Sequence, residues 1–305
     1  MKLNLPYVGR FAPSPTGPLH LGSLVAAVAS YADARAANGR WLLRIEDVDT
    51  PRCTKAAEAE ILRQLAEFGF EFDGEISRQS ERGERYDLAL KQLSDAGQLF
   101  ACACTRKMLE RAPRNASGET IYPGRCRTLA LDASGTTALR LRVPDDSDAR
   151  VAFVDRGLGS RSQNVATEVG DFILRRADQR YAYQLAVVVD DAAQGMTDVI
   201  RGKDLLMNTP RQIYLQRRLG YATPGYLHVP LVKNEAGEKL SKQTLAMAIA
   251  SDNAVPTLMA AWAFLKQPGV GDVASVAQFW RRAIPLWNPA LMRSVTRNAN
   301  PAQQG

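Results

Sequence analysis

Between Arg10 and Ser23 the chain reads RFAPSPTGPLHLGS, and this stretch limits the possible folds more than any other. Tyr7, Val8 and Gly9, just before it, form a short apolar run suited to a strand. Pro13, Pro15, Gly17 and Pro18 can neither prolong that strand nor build a helix interior. From His20 the pattern turns helical, with Leu21, Leu24, Val25 and Val28 three and four apart. The order is therefore strand, stiff loop, helix. A helix start presents amides that have no acceptor within the helix, at the positive end of its dipole, which suits phosphate. Gly22 lets a flat ligand lie against the backbone, and His20 sets a donor beside it.

Asn38-Gly39 ends this first helix, and Trp41 to Ile45 is a second apolar run that finishes in Glu46-Asp47-Val48-Asp49. Strand, helix, strand is the opening of a doubly wound parallel sheet, which binds ligands at the carboxyl ends of its strands. Arg10 and Glu46 both fall at such ends, so a site role is preferred over a solvated loop. Composition agrees with a globular chain: 46% of residues are hydrophobic. No apolar run approaches the ~20 residues of a membrane span, and the first residues lack the apolar core of a secretory signal, so the expected compartment is the cytoplasm. A formal charge of +7 suits a polyanionic partner, although solubility alone explains it equally well. Two histidines in the whole chain argue against a mechanism that needs several imidazoles.

Thr54–Gly69 and Arg82–Ala96 read as amphipathic helices that pack the core. After Gly97 the texture changes. Cys102, Cys104 and Cys126 could hold a metal or be three half-buried thiols; zinc takes four ligands and no histidine lies near. Cys53 reads as an ordinary thiol. Residues 138–155 alternate apolar and charged, as strands of a smaller insert would, and Phe172–Arg176 resembles another strand. In Tyr181–Gly195, Leu185, Val188 and Val189 would face a core. Arg201 ends a strand-like run just before Gly202-Lys203-Asp204, where a helix over Asp204–Gly220 begins. Leu227–Leu231 is strand-like, 232–237 a turn, and the tail from Asn253 helical. Lys239 and Lys242, three apart on a loop, could close over a triphosphate or simply be solvated.

The Arg10–Ser23 stretch resembles the first signature of class I aminoacyl-tRNA synthetases, the HIGH motif, with His20-Leu21-Gly22-Ser23 in its place. Its RFAPSPTG lead-in is similar to the glutamate branch, and Glu238–Gln243 (EKLSKQ) resembles the second signature, KMSKS. The likeness spans roughly residues 5 to 245. It implies an α/β class I synthetase fold: a Rossmann-type parallel sheet with an inserted smaller α/β subdomain and a short helical C-terminal extension. The implied divisions are 1–99 and 181–250 for the two catalytic halves, 100–180 for the zinc-bearing insert and 251–305 for the tail.

The resemblance also implies roles. Arg10, Ala12, Ser14, Glu46, Tyr183 and Arg201 would bind L-glutamate, with Glu46 on its amino group. Pro13, His20, Gly22, Ser23, Lys239, Ser241 and Lys242 would bind ATP with Mg2+, and His20, Lys239 and Lys242 would assist the chemistry. The YPGxC segment is similar to a family zinc site in which a tyrosine completes a three-cysteine set, giving Cys102, Cys104, Tyr122 and Cys126 as ligands of one structural Zn2+. The short stretch after EKLSKQ resembles a stand-alone paralogue without an anticodon-binding region. That implies a monomer that activates glutamate without tRNA and passes it to queuosine in tRNA(Asp). Two rivals stand beside this expectation: a shortened synthetase that charges the 3′ end of tRNA(Glu), and an inactive module that binds glutamate or RNA.

Overall fold

β1 (Val8–Phe11) is buried along its length, and the prolines that follow end it. The structure, a computed structural model, describes residues 6–48, 51–133, 135–232 and 253–292. Lys239, Ser241 and Lys242 lie outside the described residues. His20 caps α1 (Leu21–Ala36), its Nδ1 accepting the Ser23 N–H at 3.2 Å. The imidazole thus does what Ser or Asp usually does at a helix start. β2 (Arg40–Ile45) runs parallel to β1, with Arg10 opposite Leu42. α2 (Lys55–Glu67), capped by Thr54, leads to β3 (Ser77–Arg78) on the far side of β2. On the other side of β1 lies β9 (Asp198–Gly202), where the Thr197 N–H donates to the Val8 carbonyl at 2.9 Å. β10 (Gly225–Val229) pairs parallel with β9. The strands therefore run β3-β2-β1-β9-β10, and the order reverses at β1, the switch point where doubly wound sheets bind ligands.

Alternate residues of β9 and β10 feed two cores, as strand geometry requires. Ile200, Leu227 and Val229 join α1, while Val199 and Tyr226 join α3 (Gly83–Asp95), α4 (Val165–Glu168), α5 (Tyr183–Ala193) and α6 (Thr209–Leu219). A helix over Asp204–Gly220 is corrected in part. Lys203–Asn208 forms a 3₁₀ turn, and the α-helix starts only at Thr209 because Pro210 fits a first helical turn but not an interior. Gly220 closes it in the left-handed conformation, φ 71°.

The insert also divides. β4 (Leu99–Cys102), β5 (Ala138–Leu141) and β8 (Ile173–Arg175) form a separate antiparallel sheet in the order β4-β5-β8. The hairpin of β6 (Arg150–Asp155) and β7 (Gly159–Asn164) instead joins the main sheet, where Asp155 pairs with Tyr226 of β10. Residues 138–155, read from the sequence as strands of one insert, thus belong to two sheets.

α7 (Ala254–Phe264) and α8 (Val276–Ala283) pack on the first core. Trp280 meets Tyr31 of α1 edge-on at 4.7 Å and donates through Nε1 to the Phe68 carbonyl at 2.8 Å. Among the described residues, no helix is long and apolar enough to cross a membrane. Trp280→Ala removes both contacts from a buried site and should cost about 3–5 kcal/mol, read from urea unfolding.

Candidate active site

At the switch point, the ends of β1, β2 and β9 and the start of α1 enclose a cleft of about 310 Å³. Of the expected glutamate residues, Arg10, Ala12, Ser14, Glu46, Tyr183 and Arg201 all line it. So do Pro13, His20, Gly22 and Ser23 of the expected ATP set. His20 is held in place: while Nδ1 caps the Ser23 amide, Nε2 lies 3.1 Å from Ser23 Oγ. His20, Gly22 and Ser23 at the start of α1 therefore line the same cleft as the charged residues.

The charges rest on a buried network. Asp191 accepts from Arg10 Nε at 3.1 Å and pairs with Arg44 Nη2 at 2.8 Å. Arg44 also reaches Glu46 at 3.4 Å and Gln194 at 2.7 Å. Next to it, Asp190 accepts from Gln79, Tyr86 and Arg82. Burial opposes charge on Asp191, but Arg10 and Arg44 overcome it and hold the carboxyl below the usual range. Glu46 goes the other way, because burial outweighs the pull of Arg44 and Arg10. Tyr183, the first residue of α5, is half-buried, and burial with Glu46 beside it pushes its phenol up.

Arg201 is 5% exposed. Its Nε donates to His228 Nε2 at 3.1 Å and its Nη2 to Thr209 Oγ1 at 2.8 Å. Nη1 is buried and has no hydrogen-bond partner among the described residues. A guanidinium nitrogen in that condition, beside a cleft, suits a ligand carboxylate. A second cleft of about 370 Å³ adjoins the first, sharing Ser14, Thr16, Glu46 and Tyr183, and is also lined by Arg52, Arg176 and Arg180.

Sequence reasoning missed Arg44, Asp190, Asp191, Asp155, His228 and Thr209. Two adjacent acids in the otherwise apolar run YQLAVVVDDAA were the available signal for Asp190 and Asp191. Nothing local marks the others.

The cysteines converge elsewhere, at the end of β4. The sulfurs of Cys102, Cys104 and Cys126 lie within 4.8 Å of one another. The Tyr122 hydroxyl is 3.4 Å from Cys102 Sγ and 3.9 Å from Cys104 Sγ, and accepts the Cys126 N–H at 2.9 Å. Thiolates around one tetrahedral zinc stand about 3.8 Å apart, so the donor set fits that ion. Gly170, at φ 73°, lets the Tyr122 turn close, since a Cβ there would meet the Tyr122 carbonyl at 2.6 Å.

This chain belongs to the class I tRNA synthetase (E and Q) family, whose catalytic-domain model matches residues 7–267. It is accordingly a ligase of the ATP-using aminoacyl-tRNA synthetase kind. Among named relatives, it is 56% identical to a Glutamyl-Q tRNA(Asp) synthetase of Thiobacillus denitrificans over 88% of this chain and 89% of the relative. It is 51% identical to the Glutamyl-Q tRNA(Asp) synthetase of Aromatoleum aromaticum, over 93% and 89%. The crystal structure of a glutamate tRNA ligase from Elizabethkingia meningosepticum, in complex with its amino acid, matches with a TM-score of 0.73 at 26% identity. That match takes in 93% of this chain but 65% of the ligase, so the likeness leaves about a third of the ligase uncovered.

Asp191→Asn should leave Arg10 and Arg44 short of a charge and cost about 3–5 kcal/mol at neutral pH. The folded pKa of Asp191 lies below the unfolded value of about 3.9. Its contribution is thus complete above that pH and is lost as the pH falls through the folded value. Urea titrations between pH 7 and pH 3 should show the gap between wild type and variant closing toward acid.

Proposed function

We propose that the protein activates L-glutamate with ATP, without tRNA, and passes the glutamyl group to the cyclopentenediol of queuosine in tRNA(Asp). The observation that carries the first step is the unpartnered Arg201 Nη1 in a cleft that also holds Arg10, Glu46 and the first turn of α1. The names borne by relatives about half identical to this chain support the acceptor. The arginines of the adjoining cleft offer positive charge for an approaching polyanion.

In this reading, one oxygen of the glutamate α-carboxylate attacks the α-phosphorus of ATP and pyrophosphate leaves. The adenylate carbonyl then takes a queuosine hydroxyl and AMP leaves. Arg10 and Arg201 hold the two substrate carboxylates, and Glu46 holds the ammonium. Tyr183, Ala12 and Ser14 wall the amino acid. Pro13, Gly22, Ser23 and His20 seat ATP at the helix start, and Lys239, Ser241 and Lys242 take the triphosphate with Mg2+. Alignment and charge stabilisation do the work, each well-placed donor contributing roughly 3 kcal/mol. Glutamine would leave a guanidinium unpaired, and polar sites of this kind discriminate by about 10⁴-fold. A structural zinc on Cys102, Cys104 and Cys126, with Tyr122 as fourth ligand, would tie the end of β4 to the 122–126 turn.

Glutamate-dependent ATP–pyrophosphate exchange with no RNA present is the deciding test. Exchange with glutamate, and not with glutamine or aspartate, is expected, followed by labelling of queuosine-bearing tRNA(Asp) rather than of tRNA(Glu). Exchange that waits for tRNA(Glu) would favour the 3′-charging rival, and none with any tRNA an inactive module. For the metal, about one zinc per chain should be found by elemental analysis. Cys126→Ser and Gly170→Ala should weaken its retention against a chelator, and metal removal should lower the melting temperature.

A further inference from the structure

We propose that Asp155 and His228 are positioning residues: they lock one imidazole tautomer, which turns Arg201 so that its remaining nitrogen receives a substrate carboxylate. This rests on the reading that Arg201 binds glutamate. Asp155, at the end of β6, accepts on both oxygens. Oδ1 takes the Gly157 and Leu158 amides at 2.9 and 2.8 Å, and Oδ2 takes the His228 amide at 3.1 Å. Oδ2 is also 2.6 Å from His228 Nδ1. With the carboxylate accepting throughout, Nδ1 carries the imidazole proton and Nε2 is left as an acceptor.

That acceptor faces Arg201 Nε at 3.1 Å. Thr209 Oγ1, 3.2 Å from Nε2, takes Arg201 Nη2. Two of the three guanidinium nitrogens are thereby fixed by neutral partners, and the plane of the group is set before any ligand arrives. A proton on Nε2 would bring two donors face to face and turn the arginine away. The groups facing His228 are Asp155 of β6, Arg201 of β9, Asp204 of the 3₁₀ turn, Thr209 of α6 and the stacked Tyr226 ring of its own strand. Both side chains of the Asp155–His228 pair are fully buried. Burial and Arg201 keep the imidazole below its usual pKa against Asp155 and Asp204, so the accepting form persists at neutral pH.

Asp155→Asn keeps the size but lets an amide donate to Nδ1, which forces the proton onto Nε2. In exchange assays this variant should raise KM for glutamate by about tenfold or more, the loss of one charged hydrogen bond, and leave KM for ATP within twofold. His228→Gln has an amide oxygen able to accept from Arg201 and no tautomer to lose. Adding Asp155→Asn to it should therefore bring no further rise in glutamate KM, and adding Asp155→Asn to Arg201→Ala should bring none either. Ring ¹⁵N spectra should show the Nδ1–H form in the wild type and the Nε2–H form in Asp155→Asn. If Asp155→Asn does not fold, His228→Ala against His228→Gln gives the same split, with the larger glutamate KM in the alanine variant. A folded Asp155→Asn whose glutamate KM stays within twofold, or whose ATP KM rises equally, overturns the inference. Wild-type protein with no glutamate-dependent exchange defeats the functional reading instead.

Discussion

Everything around the cleft depends on the buried exchange of charge between two aspartates of α5 and arginines that come from distant parts of the chain. β1 and β2 are neighbours, and each delivers a guanidinium, Arg10 and Arg44, to the same interior. Alone, these like charges would repel in a dry environment and neither could stay. Asp191 sits against both, and Asp190 beside it is met by Gln79, Arg82 and Tyr86 from the segment that starts α3. Strand ends, helix and loop are thus fixed relative to one another by groups with several partners each, the condition under which buried charge is tolerated.

One consequence is that the two arginines of the cleft are not equivalent. Arg10 already faces an anion, Asp191, so part of its field is satisfied before a ligand enters. Arg201 is held by an imidazole nitrogen and a hydroxyl, neither of which offsets its charge. In the low dielectric of a buried site that difference is large. Glu46 completes the contrast: burial raises its pKa despite nearby arginines, and an arriving ammonium would favour its charged form.

The sequence made legible whatever is local. The Arg10–Ser23 stretch and the apolar run before it announce a strand, a stiff loop and a helix, and all of these form; that His20 caps the helix shows only in the fold. Arg10, Glu46 and Arg201 are legible as candidates because each falls at or next to the end of a short strand, beside the switch crevice, and Tyr183 only through family likeness. The CxC and YPGxC pieces brought three sulfurs and a phenol together as expected. What stayed hidden acts across the fold. Asp155 meets His228 from 73 residues away, and Arg10 meets Asp191 from 181. No period or spacing encodes such meetings. The place of β6 is hidden for a similar reason, since its alternation shows a strand but not which sheet receives it.

The C-terminal helices belong to the same mechanical argument. Read from the sequence, they are a short helical tail with no assigned role. In the fold they pack against α1. Trp280 stands edge-on to Tyr31, which stands edge-on to Trp41 of β2, and Trp287 Nε1 donates to Asp33 Oδ1 at 2.7 Å near the far end of α1. Asp33 also takes the Tyr7 hydroxyl and both Nη groups of Arg156, so that end is tied to the start of β1 and to the turn after β6. A helix sixteen residues long passes any tilt at one end on to the other. Its other end carries His20, Gly22 and Ser23, which line the cleft. The tail is thus packed against the end of α1 opposite to the one that lines the cleft, and the same helix carries both contacts.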